Sequence, residues 1–408
     1  MNVKKKINWS GLMQGDLVIW MVFILLLMIS VVEVYSASST MSYGGKSSYW
    51  EPVMQHGSFW LIGLVTAWFV SRVPCNYFKL GGTLGLFFAL MLQLAALFSG
   101  KLNGAGRWIH LWGLTFQPSE LTKMALVTYL AFIFSSLRNG KEVSSTGNKF
   151  AAFGAIASLA LIVTENLSTA GLIFLIVLGM AFFAQVRAKL LAIIFVIMVS
   201  VGAGGWILVH SIPEETLSEW RASENPITHR VPTWVARITD KHEIPDNPKD
   251  YDITDNIQVT HARIAVATSH GIGKGPGKSR QRDYLPQAYS DFIYAIIIEE
   301  TGILGGLVVM FLYLLFMWRC RTIAERCKSL FPSYLVMGLS LMIVLQAMVN
   351  MAVAVGAMPV TGQPLPLISC ICVGMILSVS RTAKKTGEPA GSAPTRDEGE
   401  AAAGALTA

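Results

Sequence analysis

Residues 291–317 read DFIYAIIIEETGILGGLVVMFLYLLFM, and this stretch decides the fold. A helix needs roughly 20 apolar residues to cross the hydrocarbon core of a bilayer, and this run is long enough to do so. Three carboxylates nevertheless lie on it: Asp291 at its start, then Glu299 and Glu300 about two turns deeper. An ionisable side chain inside a span is costly unless it lines a cavity or finds a partner. Asp291 alone could merely stabilise the positive end of the helix dipole. Three acids on one otherwise apolar span are too many for capping, so they are candidates for chemistry.

Outward from this run, further apolar stretches sit near 17–36, 57–74, 80–99, 119–137, 150–166, 168–186, 189–209, 332–355 and 361–380. Only Glu165, Asn166 and Leu167 separate the fifth from the sixth. The expected fold is an all-α polytopic membrane protein of about ten transmembrane helices, with a large extracytoplasmic loop between helices 7 and 8. Composition agrees, since 53% of the 408 residues are hydrophobic and 14% charged. An ordinary soluble core with a polar surface is excluded.

Basic residues set the orientation. Lys4 to Lys6, Arg72 with Lys79, Arg138 with Lys141 and Lys149, Arg187 with Lys189, Arg319 to Lys328, and Arg381 to Lys385 fall on alternate connections. The opposite short connections hold little beyond Lys46, Lys101 and Arg107. Both termini are therefore expected in the cytoplasm, with 1–16 as the N-terminus and 17–382 as the transmembrane domain. Residues 210–290 form the large outer loop, and 383–408 a small, polar tail expected to be disordered. The net charge of +7 is scattered between apolar runs, which argues against a nucleic-acid partner. Five cysteines without a CxxC pair signal neither a disulfide framework nor a zinc site. The first apolar run is too long for a signal-peptide core and is expected to be an uncleaved span.

Three clusters carry candidate chemistry. Gln117-Pro118-Ser119-Glu120-Leu121-Thr122-Lys123 opens the fourth span, with Pro118 suited to a first turn and Ser119 to a cap. Glu120 and Lys123 share a face, either as a local ion pair or as the charged wall of a cavity. Residues 271–279, Gly-Ile-Gly-Lys-Gly-Pro-Gly-Lys-Ser, end as a phosphate loop does. The glycine required five positions before Gly277 is Ile272, and no strand precedes the loop, so a nucleotide motif is excluded. Lys274, Ser279 and the loop N–H groups could instead cradle the phosphates of a lipid-linked substrate, or form a plain turn. Finally, Pro359 through Ser369 packs prolines and a glycine at membrane depth, which suits a broken or re-entrant segment. The seven histidines show no ligand spacing, so no intrinsic metal site is expected.

In this order the clusters resemble the signatures of the FtsW/RodA/SpoVE (SEDS) family of peptidoglycan glycosyltransferases, and FtsW in particular. Gly104 to Ile109 with Gln117 to Glu120 and Lys123 is similar to the first family motif, and Thr164 to Ala170 is a diverged form of another. Residues 271–279, Tyr284-Leu285-Pro286, Asp291 to Ile293 and Glu299 to Gly302 are similar to the outer loop and following helix. Pro359 to Ser369 resembles the motif before the last span. The resemblance implies polymerisation of lipid II at the outer face of the inner membrane during cell division, with undecaprenyl-pyrophosphate as leaving group. It implies Asp291 as general base and Lys123 as the cavity cation beside it. Arg107, Trp108, Gln117, Ser119, Glu120, Lys274, Ser279, Pro286 and Glu299 would line the cavity or bind substrate. A divalent cation, Mg or Mn, assisting the pyrophosphate fits this chemistry. The implied partners are a class B penicillin-binding protein transpeptidase, FtsI-like, and other division proteins at the septum. A precursor flippase and a RodA-like elongation polymerase are the alternatives. Gln287 stands where the family usually has Glu, and Cys370-Ile371-Cys372 departs from the family pattern after Ser369.

Overall fold

In lipid every backbone polar group must be satisfied within the protein, so long apolar runs become helices. The computed structural model describes residues 14–38, 50–98, 109–111, 114–140, 142–163, 166–212, 216, 220, 257–281, 292–358 and 370–386. In chain order the helices are α1 (Leu17–Ser38), α2 (Trp50–Val70), α3 (Tyr77–Phe98), α4 (Pro118–Ser136), α5 (Ser145–Val163), α6 (Leu167–Phe183) and α7 (Ala188–Ser211). They continue with α8 (Ile257–Thr268), α9 (Ile293–Glu325), α10 (Leu330–Ala354) and α11 (Cys370–Thr386). Among the described residues the expected apolar runs fall on helices, the run 361–380 being described only from Cys370 onward, and α8, inside the large polar segment, is an addition.

Among the described residues, Tyr77–Ala96, Ser145–Val163, Ile293–Glu325 and Leu330–Ala354 are long and apolar enough to cross a membrane. Leu17–Glu33, Gly57–Val70 and Leu167–Phe183 are shorter apolar helices. Two small hairpins flank α4. Strand β1 (Ile109–Leu111) pairs antiparallel with β2 (Leu114–Phe116), Ile109 opposite Phe116, and leads straight into α4. Strand β3 (Arg138–Asn139) pairs with β4 (Glu142–Val143) after it.

The apolar span of α10 is 72% buried and that of α3 only 22%, which puts α10 at the centre and α3 on the rim. Helix α10 packs against α4, α6, α9 and α11. Large apolar side chains such as Phe153, Phe182, Phe311 and Trp318 point outward, as lipid-facing residues do. Small residues let helices approach closely: a Cβ on Gly374 of α11 would lie 2.8 Å from the Ala67 carbonyl oxygen of α2. All five cysteines are free and buried.

The stretch expected as one continuous helix is broken. Gly302 has φ +79° and ψ 177°, which divides α9 into a short helix ending at Thr301 and a long one starting at Ile303. Such a backbone is essentially restricted to glycine. The glycine-rich loop after α8 fills the break, where a Cβ on Gly302 would come within 2.3 Å of the Gly271 carbonyl oxygen. The N–H groups of Lys274 and Gly275 donate to the carbonyls of Glu299 and Glu300 at 2.9 and 2.8 Å. Those carbonyls end the short helix, and the loop supplies the partners they would otherwise lack. Glu299 and Glu300 thus stand at a helix end against a loop, in place of two turns inside an unbroken span.

Candidate active site

Helix α4 starts directly after the β1–β2 hairpin. Gln117 takes the extended N-cap conformation with φ −99° and makes no side-chain capping bond, and Pro118 follows in the first turn. Ser119 was expected to cap this helix, but its hydroxyl is buried inside the first turn without a hydrogen-bond partner. Proline at the first helical position sets the cap at Gln117, two residues before Ser119, because it needs no N–H there.

Glu120 and Lys123 do pair, at 2.7 Å, with the Glu120 side chain 43% exposed and that of Lys123 fully buried. Lys123 also donates to Gln346 Oε1 on α10 at 2.7 Å. An ammonium group has three N–H donors, and these two bonds account for two of them. Asn350, one turn beyond Gln346, is buried as well. Ser119, Lys123, Gln346 and Asn350 therefore place polar side chains between α4 and α10, the central helices of the bundle. Gln346 was missed in the sequence; its visible signal was an amide one turn before Asn350 on an apolar span.

The second cluster surrounds the break in α9. Glu299 is fully buried and pairs with Lys274 at 2.5 Å, and Lys274 also donates to Thr268 Oγ1 at 2.9 Å. Glu299 further accepts from the Ser279 hydroxyl and from the N–H groups of Arg280 and Gln281 at 3.2 and 3.3 Å. Glu300 accepts from Ser36 Oγ and from the N–H groups of Gly277 and Ser279 at 3.0 and 3.4 Å. The loop's N–H groups are thus turned toward acceptors on α9. A phosphate cradle would need them pointing away, so Lys274, Ser279 and Glu299 here build a loop anchor.

Arg107, Trp108, Pro286, Asp291 and Pro359 to Ser369 lie outside the described residues. Phe292, next to Asp291, is buried, as is every residue from it to Glu300. At the other end of the bundle, Asp16 accepts both Arg319 guanidinium bonds, at 3.0 and 2.8 Å, and caps α1 through the Val18 N–H at 3.0 Å. Burial works to raise the Asp16 carboxyl, but the Arg319 hydrogen bond and charge, with the Ile19 and Val18 N–H groups, hold it below the usual range. Among the described residues no three His, Cys, Asp or Glu side chains are gathered to hold a metal ion.

A polytopic helical bundle with a lysine held at its centre defines a membrane protein built around a polar interior. Residues 16–384 match the model of the FtsW/RodA/SpoVE family, described as cell cycle proteins, and the chain belongs to that family. It is 31% identical over 386 residues to the probable peptidoglycan glycosyltransferase FtsW of Nitrosococcus halophilus, covering 90% of this chain and 92% of that protein. It is 30% identical over 384 residues to stage V sporulation protein E of Bacillus subtilis, covering 90% and 97%. Among solved structures, a chain of a peptidoglycan synthase complex that coordinates polymerization and crosslinking matches with a TM-score of 0.63 at 20% identity, covering 91% of this chain and 96% of that one. The rod shape determining protein RodA of Thermus thermophilus matches with a TM-score of 0.55 at 20% identity, covering 91% and 95%. At these identities the structures support the fold.

Proposed function

We propose that this protein is a peptidoglycan glycosyltransferase that polymerises lipid II into glycan strands at the outer face of the inner membrane during cell division. The observation that carries this reading is the fully buried Lys123, held by Glu120 and Gln346 between the two central helices of a chain whose relatives are named for that activity. A cation maintained there is suited to anionic groups of a lipid-linked substrate, because it acts where water does not screen it.

Asp291 is the general base: it takes the proton of the acceptor sugar hydroxyl as that oxygen attacks the anomeric carbon, and undecaprenyl-pyrophosphate leaves. Lys123, with a donor beyond its two bonds, steadies the carboxylate or the pyrophosphate. Arg107 and Trp108 meet the pyrophosphate and the sugar or lipid near the channel, and Pro286 precedes the base in the same loop. Lys274, Ser279 and Glu299 act by holding the loop against α9. A divalent cation, Mg or Mn, remains part of this chemistry without assigned ligands. The partner is a class B penicillin-binding protein, supported by the fold shared with a chain of a peptidoglycan synthase complex. Both termini are cytoplasmic and the site of work is the septum.

The test supplies labelled lipid II to the purified protein with its candidate transpeptidase, and compares wild type with Asp291→Asn. Polymer from the wild type alone is expected. Equal polymer from both would remove Asp291 from the reaction, and none from either would favour a flippase.

A further inference from the structure

The stretch Thr164 to Ala170 is described from Asn166 onward, and there it opens α6. Asn166 takes the extended N-cap conformation with φ −151°, and its Oδ1 accepts from the N–H groups of Ser168 and Thr169 at 3.1 and 3.2 Å. These bonds fix which branch of the amide is oxygen, because an NH2 group accepts nothing. The NH2 group is therefore turned away from the first turn of α6. Asn166 is 4% exposed, and its Nδ2 has no hydrogen-bond partner among the described residues. A buried amide nitrogen left this way is costly, so the position suits an acceptor oxygen brought by a ligand.

The helix face on which Asn166 lies shows where that oxygen would sit. Asn166, Thr169, Ala170, Ile173 and Met180 recur at helical spacing and are all buried. A Cβ on Gly338 of α10 would lie 2.7 Å from Met180 Cε and 2.8 Å from Val127 Cγ1 of α4. This face of α6 thus borders the α4–α10 seam that holds Lys123 and Gln346. Short connections through α5 make α4 and α6 run the same way, and both start at the end of the bundle where α10 finishes. At 1.5 Å per residue, Asn166 lies roughly 20 Å along α6 from Met180, and Gln346 roughly 12 Å along α10 from Gly338. Asn166 therefore belongs to the end of the seam beyond Lys123. Ser119, in the first turn of α4, is 1% exposed and its hydroxyl is also without a partner among the described residues. Two helix N-termini, each the positive end of its dipole and each carrying a buried polar atom with bonding capacity left, suit an anion.

We propose that Asn166 is a substrate-binding residue whose NH2 group, together with the Ser119 hydroxyl, holds phosphoryl oxygens of a lipid-linked pyrophosphate at this end of the seam. The first-turn N–H groups of Ser168 and Thr169 are already held by Asn166, so the amide nitrogen is the donor offered to the ligand. The anionic character of the ligand follows from the two N-termini; its identity as a pyrophosphate rests on the glycosyltransferase reading.

The test measures binding of undecaprenyl pyrophosphate to the purified protein in detergent, beside uncharged undecaprenol and phosphatidylglycerol, for wild type, Asn166→Asp and Asn166→Ser. Aspartate and serine cap a helix about as well as asparagine, but neither carries an NH2 group. Wild type is expected to prefer undecaprenyl pyrophosphate to both other lipids. Both variants are expected to bind it about 10-fold more weakly while keeping near-wild-type unfolding midpoints. Unchanged affinity in the two variants would reduce Asn166 to a cap and overturn the proposal. A wild type that binds undecaprenol or phosphatidylglycerol as tightly as the pyrophosphate overturns it whatever the variants do. Polymer formation from labelled lipid II separates this inference from the reading it rests on. Wild type that makes no polymer, yet binds the pyrophosphate through Asn166, would refute the glycosyltransferase and keep the site; polymer together with binding indifferent to Asn166 would remove the site alone.

Discussion

Among the described residues the bundle holds two lysine–glutamate pairs of opposite construction. In the α4 pair the lysine is fully buried and its glutamate is 43% exposed. In the α9 pair the glutamate is fully buried and its lysine is 27% exposed. Glu299 receives donors from Lys274, Ser279, Arg280 and Gln281 on its two oxygens. Lys123 reaches two acceptors, Glu120 and Gln346, with three donors to give. The difference separates two uses of buried charge. A saturated group anchors structure, while one with capacity left over can meet a ligand.

The sharpest way to break the comparison is to remove the saturated acid. Glu299→Ala leaves Lys274 and two loop N–H groups without their acceptor, and should cost about 3–5 kcal/mol of stability. Thermal unfolding in detergent reads this directly, and a loss below about 1 kcal/mol would mean the loop stands without its anchor. Gly302→Ala is expected to cost about 3 kcal/mol in the same assay, because a side chain is strained at that backbone geometry and meets the Gly271 carbonyl. A wild-type midpoint for this variant would show that the break in α9 is not held by the loop.

Asp16 sharpens the contrast from outside the span. Its folded carboxyl sits below the ordinary value of 3.8, so its contribution is present above about that pH and is lost as pH falls toward the lowered value. Asp16→Asn should cost about 2 kcal/mol at neutral pH, and this difference from wild type should shrink in acid. A difference constant with pH would contradict the Arg319 linkage. The exposed pair Arg321–Glu325 marks the lower bound, and Arg321→Ala should change stability by less than about 0.5 kcal/mol.

How much of this was legible in the sequence follows from which forces act locally. Helix positions were, because lipid allows few alternatives for an apolar run of that length. The Glu120–Lys123 pair was too, since spacing on one helix fixes which side chains meet. The break at Gly302 was not: its cause is the loop 271–277, brought against it by tertiary packing, and a lone glycine in an apolar run carries no such message. For the same reason Gly271 to Ser279 suggested a phosphate cradle, whereas in the fold its N–H groups face Glu299 and Glu300. Ser119 was misassigned as a cap by a residue-type preference that Pro118 overrode. Gln346 was passed over because it is a single polar residue whose partner, Lys123, lies on another helix.

The most direct test of the account separates the two lysines. Glycan polymer formed from labelled lipid II should be measured for Lys123→Met and Lys274→Met, each normalised to folded protein with the transpeptidase partner present. Lys123→Met should lose about 100-fold in rate, as removal of a preorganised donor at a reacting charge does, while its unfolding midpoint changes little by comparison. Lys274→Met should show the reverse, with a lowered midpoint and near-normal polymer per folded molecule. Undiminished synthesis by Lys123→Met would contradict the assignment of the α4 pair to the chemistry.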